Sequence, residues 1–155
     1  MRLSLLKYLF IFLFSITIWT ESKSSPVGKN LSCTVDDITN KNYLKFRGVS
    51  FETNKSVRVV SLNIKNNQLK VISKLTPYKL NKNMINFKIK FIWYGNIFFE
   101  NFHLDRKNLK LFHSKNKERS ELNCEIIKGD FMTEMNKKRE KLQKLYNKDL
   151  DNNKI

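Results

Sequence analysis

Residues 85–93 alternate with almost no exception: Ile85, Phe87, Ile89, Phe91 and Trp93 share one phase, and Asn86, Lys88 and Lys90 share the other, with only Ile92 apolar among them. Successive side chains of a strand point to opposite faces, so this segment buries one face and wets the other only as β-structure. The same period recurs across residues 31–128, broken at short intervals by turn-forming residues. That pattern predicts a mainly β domain, an antiparallel sheet closed into a sandwich or partial barrel.

Neighbouring segments follow suit. Val60, Leu62 and Ile64 form an apolar phase against Asn63 and Lys65, and Leu69, Val71, Ser73 and Leu75 form one against Lys70 and Lys74. Both apolar sets are expected to face the core. The predicted turns are Asn66-Asn67, Tyr94-Gly95-Asn96 and Asp105-Arg106-Lys107-Asn108. Over residues 43–52 the apolar phase shifts from Leu44 and Phe46 to Val49 and Phe51, straddling Gly48, which predicts a β-bulge or sharp bend at the glycine. The polar stretch 114–120 reads as a loop, and Leu122, Cys124 and Ile126 as the last strand.

After Gly129 the period becomes helical. Asp130 can cap the unpaired amides of a first turn, and Phe131, Met135, Leu142 and Leu145 or Tyr146 fall on one side. The stripe is thin, so a C-terminal helix over 129–148 is expected to pack at its first turn and then project into solvent, with a disordered tail at 149–155.

At the other end, Arg2 and Lys7 precede an apolar run at 8–19, and small residues follow at Thr20, Ser22, Ser24 and Ser25. The run is shorter than the roughly 20 residues needed to cross a bilayer. It reads as a signal peptide over 1–22, joined by a linker at 23–30 to the β domain at 31–128. Export to a periplasmic or secreted location follows, the alternative being an uncleaved membrane anchor.

Cys33 is in phase with Leu31 and Val35, and Cys124 with Leu122 and Ile126, so both point inward from one sheet system. In an oxidising compartment they are expected to form one disulfide joining the first strand to the last. Two free thiols or an intermolecular bridge are the alternatives.

Charge is the remaining constraint. The 155 residues hold 30 Lys and Arg against 14 Asp and Glu, a formal +16, and residues 41–90 carry twelve cations against the single acid Glu52. Lys45, Arg47, Lys65, Lys70, Lys74, Lys88 and Lys90 are expected on outward positions, forming a basic face. Such a face would attract lipid headgroups, acidic polysaccharide or an acidic protein partner. The plainer reading is a solvated surface in a chain rich in Lys and free of Ala. Nucleic acid is disfavoured by export and by the inward phase of most Phe residues, which leaves few stacking platforms.

No catalytic motif is visible: no nucleophile elbow, no glycine-rich phosphate loop, no paired carboxylates, and no set of three metal ligands at useful spacing around His103, His113 and Asp105. The sequence therefore predicts an exported, non-enzymatic binding or structural module without cofactor. The alternative is a carrier of a small lipophilic ligand, with Phe87, Phe91, Trp93, Phe98 and Phe102 lining a cavity. The segment Phe102-His103-Leu104-Asp105-Arg106-Lys107-Asn108-Leu109-Lys110-Leu111, followed by Cys124, resembles small uncharacterised exported bacterial β proteins that combine a hydrophobic-Asp-Arg turn with a late cysteine. That resemblance implies a periplasmic or secreted β domain and no catalytic residues.

Overall fold

The structure is a computed structural model that describes residues 25–35, 42–93, 96–115 and 118–152. The expected leader at 1–22, and Tyr94 and Gly95 of the predicted Tyr94-Gly95-Asn96 turn, lie outside the described residues. Eight strands follow one another in chain order: β1 (Asn30–Thr34), β2 (Arg47–Phe51), β3 (Ser56–Lys65), β4 (Gln68–Asn81), β5 (Met84–Trp93), β6 (Asn96–Asp105), β7 (Lys110–Lys115) and β8 (Glu118–Ile126). Each pairs antiparallel with the next, and β1 pairs with β8, so the predicted sheet closes on itself as an eight-stranded barrel. Closure removes the free edges that an open sheet would expose.

Cys33 and Cys124 are directly opposed in the β1–β8 register and form a disulfide with Cα atoms 4.0 Å apart. The bond staples the seam that closes the barrel, and it accords with folding in an oxidising compartment.

Local chemistry explains the connections. Asn66 and Asn67 both adopt positive φ, 53° and 58°, the conformation of the tight turn whose twist matches two paired strands. Asp105 Oδ1 accepts from the Lys107 amide at 2.8 Å and so tightens the β6–β7 turn. The expected 114–120 loop is shorter than its polarity suggested. His113 pairs with Ser120 and Ser114 with Arg119, so most of it is strand, because polar side chains on a wet face do not interrupt a ladder.

Every strand sends side chains into the barrel. Leu31, Cys33, Val49, Phe51, Val57, Val59, Ile85, Phe87, Ile89, Phe102, Leu104, Leu111 and Leu122 are all buried there, with Tyr78 of β4 at their margin. A second core lies outside the barrel wall. The helix α1 (Phe131–Asn152) lays Phe131, Met135, Leu142 and Tyr146 against Val60, Leu62 and Leu69. Its first turn is capped as predicted, with the Thr133 amide donating to Asp130 Oδ1 at 2.8 Å.

Three expectations are corrected by this second core. The helix does not leave the domain after one turn or stop at 148: it runs to Asn152 and packs along its length, because the outer face of β2–β4 is itself apolar. Near the far end, Gln143 accepts from the Leu69 amide at 2.6 Å, which anchors the helix to β4. Gly48 is not a bulge, since β2 pairs with β3 without interruption. A Cβ there would sit 2.2 Å from Met135 Sδ, so glycine lets the helix approach. Finally, Val60, Leu62, Leu69 and Val71 face the helix, and Lys70 and Lys74 take the barrel-facing phase.

Candidate functional site

The barrel interior is not filled evenly. At the end carrying the β2–β3, β4–β5 and β6–β7 turns it is packed with apolar side chains, and a hydrophobic floor extends to Ile89 and Phe102. Three rings stack across that floor, Phe87 on Phe102 with centroids 5.1 Å apart and Phe102 on His113 at 4.8 Å. Two residues further up β6, at the next inward position, the apolar sequence is broken by Glu100.

Glu100 is inward because its phase is that of Phe98, Phe102 and Leu104, and it is only 5% exposed. Three cationic or cation-capable groups surround it. Lys115 Nζ lies 3.1 Å from Oε1, His113 Nε2 lies 3.3 Å from Oε2, and Arg47 Nη2 lies 3.7 Å from Oε2. Strand register builds this cluster, since Glu100 is directly opposite Lys115 and diagonal to His113. Burial pushes the Glu100 carboxyl up, but the His113 hydrogen bond, the Arg47 charge and the Lys115 hydrogen bond outweigh it and hold the pKa at about 2. Arg47 shows the converse effect: burial lowers its pKa, partly offset by Glu100. Its Nη1 donates to the Leu44 and Phe46 carbonyls at 2.7 and 2.8 Å.

Above this charged layer the barrel opens into a cavity of about 560 Å³, lined by Leu44, Arg47, Ser61, Leu62, Asn63, Ile72, Phe91, Phe98, Glu100 and Lys115. Its wall is loosened on one side. β4 and β5 pair from Tyr78–Asn81 opposite Met84–Phe87, and beyond that they part. Side chains bridge the gap instead: Thr76 Oγ1 donates to the Lys88 carbonyl at 2.6 Å and Lys74 Nζ to the Lys90 carbonyl at 2.9 Å. Lys74 Nζ also lies 3.9 Å from the centroid of the Phe91 ring. Arg47 and Lys115 against Glu100 leave the lining with more positive than negative charge, and Lys74 adds to it from behind Phe91.

The predicted site residues are thereby redistributed. Of the five aromatic residues, Phe91 and Phe98 line the cavity. Phe87 and Phe102 are 4% and 0% exposed and belong to the floor, because paired rings on neighbouring strands fill that layer. The Trp93 side chain lies outside what the structure describes. The predicted outer basic face does not form from its seven members. Arg47 is buried inside the barrel, drawn in by Glu100 and two carbonyls, and Lys74 is half-buried in the β4–β5 gap because β4 has the opposite phase from that expected. Lys45, Lys65 and Lys70 are exposed around the turns at the open end, while Lys88 and Lys90 stand exposed on the outer face of β5.

His103 and His113 point to opposite sides of the sheet; His103 Nδ1 meets Asn86 Oδ1 at 2.7 Å on the outside. Among the described residues no three His, Cys, Asp or Glu side chains are grouped to hold a metal ion. The Glu100 cluster was missed in the sequence, yet one signal pointed to it: an acid on the apolar phase of β6, which needs a cation wherever it is buried. Compared with known protein families, curated proteins and solved structures, the chain matches none.

Proposed function

We propose that the protein is an exported binding module that holds a small amphipathic anion in the open end of its barrel. The observation that carries this reading is the layered cavity: apolar walls from Leu44, Ile72, Phe91 and Phe98 above a floor where Arg47 and Lys115 converge on the single carboxylate of Glu100. An eight-stranded barrel is just wide enough either to fill with side chains or to hold one small ligand. This barrel does the first at one end and leaves room for the second at the other. The surplus positive charge of the floor favours an anionic head, and the aromatic walls favour an apolar body. Lys115 is half-exposed, so its ammonium can turn from Glu100 towards a bound anion. The reading of export rests on the apolar run at 8–19 with its basic start, and the disulfide supports it.

The test is displacement of the fluorescent anion anilinonaphthalene sulfonate. Dodecanoate is expected to displace it more strongly than dodecanol, and Lys115→Glu is expected to weaken dodecanoate binding while sparing the fold. Equal displacement by acid and alcohol, or none by either, would reject the reading.

A further inference from the structure

We infer that the outer face of the β5–β6 hairpin, at the open end of the barrel, docks on an anionic lipid bilayer surface. The outward positions of this hairpin are Lys88, Lys90 and Ile92 on β5, paired with Asn101, Phe99 and Ile97 on β6. Ile92, Ile97 and Phe99 are 69%, 53% and 43% exposed, which places three large apolar side chains side by side in water. A soluble β domain ordinarily places polar residues on its wet face, as this one does at Asn86, His103 and Asn101 lower on the same hairpin. The apolar cluster is confined to the end nearest the cavity mouth.

Charge completes the pattern. Lys90 and Lys88 follow Ile92 down the strand, with Lys88 Nζ held 4.5 Å from the Phe99 ring centroid. Glu100 is the one acid within this hairpin's upper half, and it faces the interior. Two residues of strand separate Ile92 from Lys90, about 7 Å at the strand rise. Interfacial proteins bury their apolar groups about 5–10 Å into the boundary between headgroups and acyl chains. Ile92 and Ile97 at that depth leave Lys90 level with the phosphates, with Phe99 opposite it and Lys88 one row farther out. The layering, an apolar row of Ile92 and Ile97 at the tip with lysines from the next row on, suits a bilayer better than a uniformly charged polyanion, which has no apolar layer to receive Ile92 and Ile97. Docking in this pose turns the cavity mouth towards the lipid, and it stands independently of what the cavity holds.

The experiment is co-sedimentation of the full chain with vesicles of phosphatidylcholine, with and without phosphatidylglycerol, and with soluble heparin as a polyanion lacking an apolar layer. Wild type is expected to bind the phosphatidylglycerol vesicles in a salt-sensitive manner. Lys88→Gln and Lys90→Gln should each weaken binding by about fivefold, and Ile97→Asp with Phe99→Asp should abolish it. All four positions are on the exposed face, and near-ultraviolet circular dichroism checks that the variants fold. Vesicle binding equal in wild type and variants overturns the proposal, whether the chain attaches through its N-terminal apolar run or elsewhere. So does binding that needs the lysines but survives the aspartates and is matched on heparin, which would assign the face to a polyanion.

Discussion

The barrel has two apolar outer walls, and only one is covered. On β2–β4, Val60, Leu62 and Leu69 disappear beneath Phe131, Met135, Leu142 and Tyr146 of the helix. On β5–β6, Ile92, Ile97 and Phe99 remain in water beside Lys88 and Lys90. The first wall has Gly48, which lets a helix come close, and few charges; the second keeps a lysine row within two residues of its apolar row. The contrast teaches that apolar residues on the outside of a strand have no single meaning. Where the chain supplies its own cover they become a second core that stabilises the fold. Where it supplies lysines instead, they stay accessible.

The comparison can be broken by truncating one side chain from each wall. Phe131→Ala should destabilise the protein by about 3–5 kcal/mol, the range for removing a buried phenylalanine, as read from its urea midpoint. If the loss is negligible, the helix is an ornament and the two walls are alike. The barrel interior supplies an internal reference that neither wall contains. Glu100 has a folded pKa of about 2, below its usual 4.5, so it contributes stability above the higher value, and that contribution is lost as pH falls through the lower one. The shift corresponds to about 3 kcal/mol. Urea midpoints of wild type measured from pH 5 downwards should therefore fall more steeply than those of Glu100→Gln, which lacks the titrating group. Parallel profiles would show that the Arg47–Glu100–Lys115 cluster carries no such linkage.

A smaller effect is expected from Gly48→Val, about 1–3 kcal/mol, as the new side chain displaces Met135 and Phe131 from the wall. Loss of protection from hydrogen exchange should accompany it in the first turns of the helix. The smallest is Phe99→Ala on the bare wall, within about 0.5 kcal/mol. A larger loss there would mean that Phe99 is structural and that the bare wall is maintained for folding.

Much of the architecture was legible in the chain. The strict alternation of residues 85–93, the Asn66-Asn67 turn, the Asp130 cap and the inward phase of both cysteines each depend on local geometry, and each stands in the structure. The phase of β4 was not legible, nor was the fact that β3 buries both of its faces. Residues 57–62 are Val-Arg-Val-Val-Ser-Leu, in which Val57 and Val59 face the barrel and Val60 and Leu62 face the helix. A strand covered on both sides loses the alternation that would report its orientation. On β4 the alternation directs the lysines to solvent, but Lys74 meets Phe91 and the Lys90 carbonyl inside the parted β4–β5 wall.

The candidate site was half visible. Phe91 and Phe98 fall on the inward phase by sequence alone, and so does Glu100. Its partners do not announce themselves, because Arg47, His113 and Lys115 come from two other strands, and only the registers of β6–β7 and barrel closure bring them to one carboxylate. By itself, then, the sequence determined that this chain makes antiparallel strands, where they turn, where the helix begins and which cysteines can meet, since each of these depends on residues close in the chain or on a period of two. Tertiary structure alone decided that the sheet closes into a barrel, that one apolar wall is covered and the other left bare, and that a cavity remains at one end. Those outcomes depend on which distant faces come together to bury area and pair charge, a competition that no local pattern encodes.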